Sequence, residues 1–573
     1  MPMRQVRRSS AREGGPDRRT GLFRLLGVRG SSPGKAQYGA LTAAVVLVAG
    51  AAVTAAVLVW PEDDTWGGHG PTGNDDRTPS SATYSPSPSP SPSPTRSYPL
   101  SRAPRTIPSV REHDAARGPG WQPAAGSRVL VAAGSKGLAD EGQLLAKELK
   151  LPYAYGAQAQ PGDVELALAP AKGAAPESYT LTASDRQVKI TGPDEAGVFY
   201  GTRTLKQSLS ADKVVPEGVV RDRPDRPQRG LNLDIARKNF TAPWIEARLR
   251  EMADLKLNQL GLHFSDDQGF RIASDSHPEA VSRQHLTKPQ VRSIVALAEK
   301  LHIEVVPEID SPGHLGAVLR NHPELELRNA QGVVARGAVD ISKPRAAQIV
   351  DELLREYAGL FPGTYWHLGG DEYRALMADD PEASYPQLAD LAHRKYGAGG
   401  RIQDLATDWL NARGATLKPY GKTLKAWNDG YFRGGKVAPD PKREVEYWTG
   451  KEYGARPPLE YLKEGRQVVN LNDEYLYYVL GQPNDFRYPT GQRIYEQWTP
   501  RVLRGTSAVP ARYSGQILGG RFAVWCDFAN AQTQDQIAAG IRMPLRATAQ
   551  KLWDPRQPAL NWGQFGALAK RLG

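Results

Sequence analysis

The chain has 573 residues, a single cysteine and a formal net charge of +11. Its length predicts two or three domains with linkers rather than one. Residues 1–38 hold nine Lys/Arg and two Asp/Glu, so +7 of the charge sits in one tail, which argues against a basic face for nucleic acid, and the lone Cys526 excludes an intrachain disulfide.

Residues 1–39 form that basic tail. Residues 40–60, ALTAAVVLVAGAAVTAAVLVW, carry no charge over 21 residues, and roughly 20 apolar residues span a bilayer as a helix. Nine cationic residues from Arg4 to Lys35 precede the run, and Glu62, Asp63 and Asp64 follow it. The positive-inside bias predicts a cytoplasmic amino terminus, a single-pass transmembrane helix and everything downstream outside the cytoplasm. A cleaved signal peptide is the alternative, because Ala51-Ala52-Val53 offers small residues for cleavage; the remainder is exported on either reading. Residues 61–120 read as a Pro/Ser-rich linker. Five consecutive Ser-Pro pairs at 85–94 favour extended polyproline II and cannot build a core.

Hydrophobic patterning resumes in a small α+β domain over 121–222. Strands are predicted at 129–132, 164–168, 178–183 and 187–191, with helices at 141–149 and 195–209. No catalytic cluster stands out there. From 223 to 573, strand, loop and helix alternate. Strands are predicted at 230–235, 259–264, 303–309, 365–368, 423–427, 444–448, 467–471 and 521–525. Eight such units have the rhythm of a (β/α)8 barrel. A doubly wound open sheet is the alternative, weakened because no glycine-rich phosphate loop follows an early strand.

A barrel carries its active site at the carboxyl ends of its strands. Those ends here are rich in ionisable and indole groups: Asp234 and Arg237; His263, Asp266 and Asp267; Glu308, Asp310 and His314; His367, Asp371 and Glu372; Trp427 and Asp429; Trp448; Asp473 and Tyr475; Trp525 and Asp527. Carboxylates perform acid/base work at acetals, and tryptophan faces suit the C–H faces of sugar rings. The mixture points to sugar hydrolysis. His263 and His367 read as histidines packing within strands, and Cys526 as a small filler.

The motif HLGGDE at 367–372, with DIAR at 234–237 and PEIDSPGH at 307–314, resembles glycoside hydrolase family 20, the β-N-acetylhexosaminidases. The resemblance covers about 228–530, and the small domain resembles the one that precedes the barrel in many members. LDIARKNF, LHFSDDQGFRIAS, WNDG and NDEYLYY are similar to the dispersin-type branch, which cuts poly-N-acetylglucosamine. The resemblance implies substrate-assisted retaining hydrolysis of β-linked N-acetylhexosamine, GlcNAc above all, without metal or cofactor. Asp371 would orient the acetamido group and Glu372 would be the general acid/base. His314 and Asp266, or Asp267, would tune Glu372, and Tyr475 would donate to the acetamido oxygen. Arg237, Asp267, Asp429, Tyr477 and Asp527 would bind the sugar within walls of Trp427, Trp448 and Trp525. A charge on Asp371 would also keep Glu372 protonated.

Tyr477 and Asp527 depart from the family pattern, which has Asp and Glu at these places, and leave recognition at O4 and O6 open. The implied partner is an N-acetylhexosamine-containing oligo- or polysaccharide, with the membrane as a second partner through 40–60 and no nucleic acid. A non-catalytic carbohydrate-binding protein and a metal-dependent barrel hydrolase are the rival readings; the absence of HExxH speaks against the second.

Overall fold

The computed structural model describes residues 97–451, 455–481 and 486–573. The basic tail, the apolar run at 40–60 and the linker as far as 96 lie outside the described residues. Among the described residues no helix is long and apolar enough to cross a membrane.

The chain first forms a seven-stranded mixed sheet, ordered Glu112–Ala115, Gly218–Asp222, Tyr179–Ser184, Gln187–Gly192, Val164–Leu168, Val129–Val131, Tyr153–Tyr155. Helices Ala139–Leu149 and Glu195–Asp212 accompany it. The expected linker is shorter than 61–120, because Glu112–Ala115 pairs antiparallel with Gly218–Asp222 and Ile107 is buried in the core. This edge strand reads EHDA, without apolar alternation, and Tyr153–Tyr155 at the other edge is one residue shorter still.

The second unit is a (β/α)8 barrel of parallel strands: Gln228–Asp234, Gln259–Ser265, Glu304–Ile309, Tyr365–His367, Thr423–Trp427, Glu444–Tyr447, Val468–Asn470 and Ile517–Trp525. Strand eight pairs with both strand seven and strand one, which closes the ring and rules out the open sheet. An extra strand, Tyr477–Val479, pairs with the upper part of strand eight and brings its side chains to the mouth. Strands buried on both faces explain the near-continuous apolar runs. Helix starts are locally encoded: Thr287 and Gln290 cap helix Lys288–Lys300 reciprocally, with a proline in its first turn.

The barrel floor is ionic. Arg521 is buried against Glu446, and Lys425 lies 3.3 Å from the same carboxylate. Gly230 makes room for this, since a Cβ there would lie 2.9 Å from Arg521 Cγ. Burial pulls Lys425 down to about 8 despite Glu444 beside it.

Small domain and barrel share a buried polar knot. Lys256, at the foot of the barrel, donates to Tyr179 Oη (2.9 Å), Thr204 Oγ1 (2.8 Å) and Asp222 Oδ2 (3.2 Å). Asp222 also accepts from Trp553 Nε1 at 2.9 Å. Lys256 and Asp222 have no exposed side-chain surface, so removing one leaves the other buried and uncompensated. We expect Asp222→Ala to lower unfolding free energy by about 3–5 kcal/mol, measured by urea denaturation. A loss below about 1 kcal/mol, the scale of an exposed pair, would show that the knot does not bind the two units.

Candidate active site

The fourth strand stops at His367 and the chain turns through Gly369 (φ 70°), Gly370 (φ 96°) and Glu372 (φ 46°). A Cβ on Gly369 would collide with Asp310 Oδ1, and one on Gly370 would lie 2.9 Å from Leu410. Only glycine fits there without strain. The left-handed conformation of Glu372 costs of order 1–3 kcal/mol. Two carboxylates from neighbouring strands pin the turn: Asp310 Oδ1 accepts from Gly370 N (2.8 Å) and Asp429 Oδ2 from Glu372 N (3.0 Å).

His314, also at positive φ, stands at the centre. Its Nδ1 lies 3.4 Å from Asp266 Oδ1, and its Nε2 lies 3.5 Å from Glu372 Oε2 and 3.7 Å from Asp371 Oδ2. Burial alone would lower the pKa of this imidazole, but Asp266 and Asp371 raise it well above the ordinary range. The shift favours the imidazolium. His314, 3.5 Å away, in turn lowers Glu372 below the usual carboxylate range. This corrects the expectation that Asp371 keeps Glu372 protonated: the cation beside Glu372 outweighs the anion. Burial raises Asp371, with His314 opposing. Asp310 is pushed well up by burial and by the Asp371 carboxylate. These shifts favour His314 and Asp310 over Glu372 as the sites that hold protons at rest.

Below this layer His263 bridges two carboxylates, Asp266 at 2.9 Å and Glu308 at 2.9 Å. Burial opposes its protonation, but Glu308 and Asp266 raise it to about 10. His263 is thus an ionic bridge facing the pocket, not a packing histidine. Glu308 also accepts from Trp427 Nε1 at 2.7 Å and sits 3.0 Å from His367 Nδ1. These contacts fix the Trp427 ring as the pocket floor.

The pocket is lined by Arg237, His263, Asp266, Asp310, His314, Asp371, Glu372, Trp427, Trp448, Tyr477, Val479, Phe486, Trp525 and Asp527. Cavity and open mouth together enclose about 540 Å³, part of it open solvent. Trp448 and Tyr477 stack in parallel at 5.7 Å, with Trp525 5.8 Å from Tyr477 and from Trp427. Together they make an aromatic box. Arg237 spends two donors on Asp234 (3.1 Å) and Asp266 (2.7 Å). Its five-donor fork leaves others for a ligand. Asp527 is exposed at the rim.

Three expected site residues lie elsewhere. Tyr475 falls in the helical turn Asp473–Leu476, capped by Asn472, and packs under Arg493 at 4.1 Å. The turn swings Tyr475 outward and returns the chain at Tyr477, two residues on, which enters the pocket. Asp267 accepts from Gly316 N at 2.9 Å and abuts Gly337, so it ties loops together and does not line the pocket. Asp429 holds Glu372 N and Trp448 Nε1 (3.1 Å); it positions the turn and the indole. Asp310, Val479 and Phe486 were not among the expected site residues. Asp310 lies inside the PEIDSPGH motif, whereas no motif or periodic signal marks Phe486 in the sequence.

The sequence profile of the glycosyl hydrolase family 20 catalytic domain matches residues 227–556, and that of the family's domain 2 matches 103–223. A lacto-N-biosidase of Bifidobacterium bifidum is 29% identical over 478 residues, covering 82% of this chain and 42% of that protein. A β-N-acetylhexosaminidase of Cellulomonas fimi is 29% identical over 326 residues, 52% of this chain and 62% of its own. The chain thus spans about half the length of the curated relatives it matches. A solved family 20 β-N-acetylhexosaminidase of Streptomyces coelicolor superposes with a TM-score of 0.65 at 23% identity, over 82% of this chain and 95% of that one. A mutant Streptomyces plicatus β-hexosaminidase solved with its product GlcNAc gives 0.65 at 24%, over 83% and 95%.

The His263 bridge makes a titration testable. Its pKa exceeds that of a free imidazole, so its contribution to stability is full below about pH 6.5 and is lost as pH rises to about 10. By ¹⁵N NMR of the full chain we expect the His263 ring to lose its proton near pH 10, and several units earlier in Glu308→Gln. A ring that titrates near 6.5 in the unsubstituted protein would contradict the bridge.

Proposed function

The chain belongs to glycoside hydrolase family 20, and from that premise we propose that it is a β-N-acetylhexosaminidase acting by substrate-assisted retention. The observation that carries the reading is the pairing of Asp371 and Glu372 on one pinned turn that faces an aromatic box. The acetamido methyl group fits among Trp427, Trp448 and Trp525. Asp371 accepts the acetamido N–H and offsets the charge that develops on that group. Tyr477, rather than Tyr475, donates to the acetamido oxygen.

The oxygen attacks C1 as the C1–O glycosidic bond breaks, giving an oxazolinium ion. The proton for the leaving oxygen comes through Glu372, which draws it from the His314 imidazolium 3.5 Å away. Asp266 steadies the other nitrogen of His314. Water then attacks C1 and gives its proton to Glu372, and the oxazolinium reopens with net retention. Arg237 and the rim carboxylate Asp527 meet the ring hydroxyls. The names of the relatives support this reading. They give no support to the poly-N-acetylglucosamine or the non-catalytic reading.

A second reading is a lacto-N-bioside as substrate. It is favoured by the relative of that name, which matches 82% of this chain, and by Tyr477 and Asp527, where the family pattern has other residues. Localisation rests on the sequence: the run at 40–60 would hold the catalytic region outside the cytoplasm. Protease added to intact cells should then release or destroy the activity, and activity protected until lysis would refute the topology.

Assays of the full chain on 4-nitrophenyl β-N-acetylglucosaminide and on the corresponding lacto-N-bioside decide between the two substrates. On the preferred one, Glu372→Gln should lower kcat by about 10²–10⁴-fold and Tyr477→Phe by about 10²–10³-fold. In His314→Gln the proton must be held by a carboxylic acid alone, so the alkaline limb of kcat/KM should move to lower pH by more than about one unit. An unmoved limb would remove His314 from the proton path.

A further inference from the structure

On the same face of the barrel, outside the pocket, His277, Glu279 and His322 bring three ligand atoms within 4.8 Å of one another. His277 and Glu279 belong to the loop after strand two, and His322 to the loop after strand three. Glu279 Oε1 lies 2.9 Å from His277 Nδ1 and 3.2 Å from His322 Nε2. The far nitrogen of His277 is engaged by Glu352 of helix Pro344–Ala358 at 2.9 Å. A neutral imidazole carries one N–H. If His277 donates it to Glu352, the nitrogen facing Glu279 presents a lone pair that can ligate a metal ion held against that carboxylate.

We propose that His277, Glu279 and His322 bind one divalent transition-metal ion, zinc by the nature of the donors, that clips these two loops together. Two imidazole nitrogens and one carboxylate oxygen suit Zn²⁺, with water completing a tetrahedron at about 2.0–2.1 Å. The carboxylate that bonds the remote nitrogen of His277 is the arrangement that fixes a ligating imidazole. The frame is rigid. Glu356, one turn beyond Glu352, accepts from Ser274 Oγ (2.8 Å) and Asp275 N (2.7 Å), and Asn321 Nδ2 donates to the Glu279 carbonyl (2.6 Å). His277 is buried, while the Glu279 side chain is 37% exposed and provides the entry path. The two clipped loops also carry Asp266 and His314, so the ion would act on the site through the loops and take no part in the reaction.

The test is zinc binding by the untagged full chain, stripped with chelator, given zinc chloride and passed through gel filtration at pH 7.5. We expect one zinc per chain and a rise in melting temperature, both abolished in Glu279→Gln and His322→Ala. Glu279→Gln preserves size, so a zinc-free melting temperature near that of the unsubstituted protein confirms that it folds. His314→Gln should retain the zinc. No zinc on the folded, unsubstituted chain would overturn the proposal, as would undiminished zinc in both loop variants. Loss of zinc in His314→Gln would place the ion in the catalytic pocket and overturn it equally.

Discussion

Carboxylates crowded into the mouth of one barrel impose the constraint on which the rest of this structure depends. Asp266, Glu308, Asp310, Asp371, Glu372 and Asp429 surround a single pocket, against Arg237, His263 and His314. They cannot all be ionised in a shielded site. The molecule resolves this by unequal sharing. Despite burial, Asp266 is held low by His314 and Arg237, and Glu308 by His367 and His263. Asp310 and Asp429 are pushed well up by burial and by the nearby Asp371. The pattern leaves Asp371 and Glu372 beside a histidine that is itself charged.

Geometry and charge are secured by the same groups. Asp310 and Asp429 accept backbone N–H groups from the strained turn while lying within the electrostatic reach of Asp371. Glu308 sets both the charge of His263 and the tilt of Trp427. A change at either level therefore reaches the other. The ionic floor made by Lys425, Glu444, Glu446 and Arg521 continues the alternation of sign down the barrel axis.

Much of this was legible in the sequence. The eight barrel strands stand out because buried parallel strands are apolar runs, and the chemistry collects where such strands end. Asp371, Glu372, His314, Asp266, Arg237 and the three tryptophans all line the pocket or touch what does. The failures have physical causes. The four-residue turn Asp473–Leu476 leaves no periodic trace, so Tyr475 and Tyr477, which would share a face in a strand, separate in space. Asp267 and Asp429 were assigned to the sugar because they are carboxylates beside the motif, yet backbone N–H groups claim them. The protonation order depends on His314 reaching Glu372 across two loops, which no local pattern encodes. The strand Glu112–Ala115 is a polar edge and resembles linker.

Whether the resting site keeps its proton on His314 rather than on Glu372 can be seen directly by neutron diffraction of deuterated crystals near neutral pD. The account predicts deuterium on both ring nitrogens of His314 and on the Asp310 carboxyl, with Glu372 bare. A deuterated Glu372 beside a singly deuterated His314 would contradict it, and would return the general acid to a carboxylic acid kept neutral by Asp371.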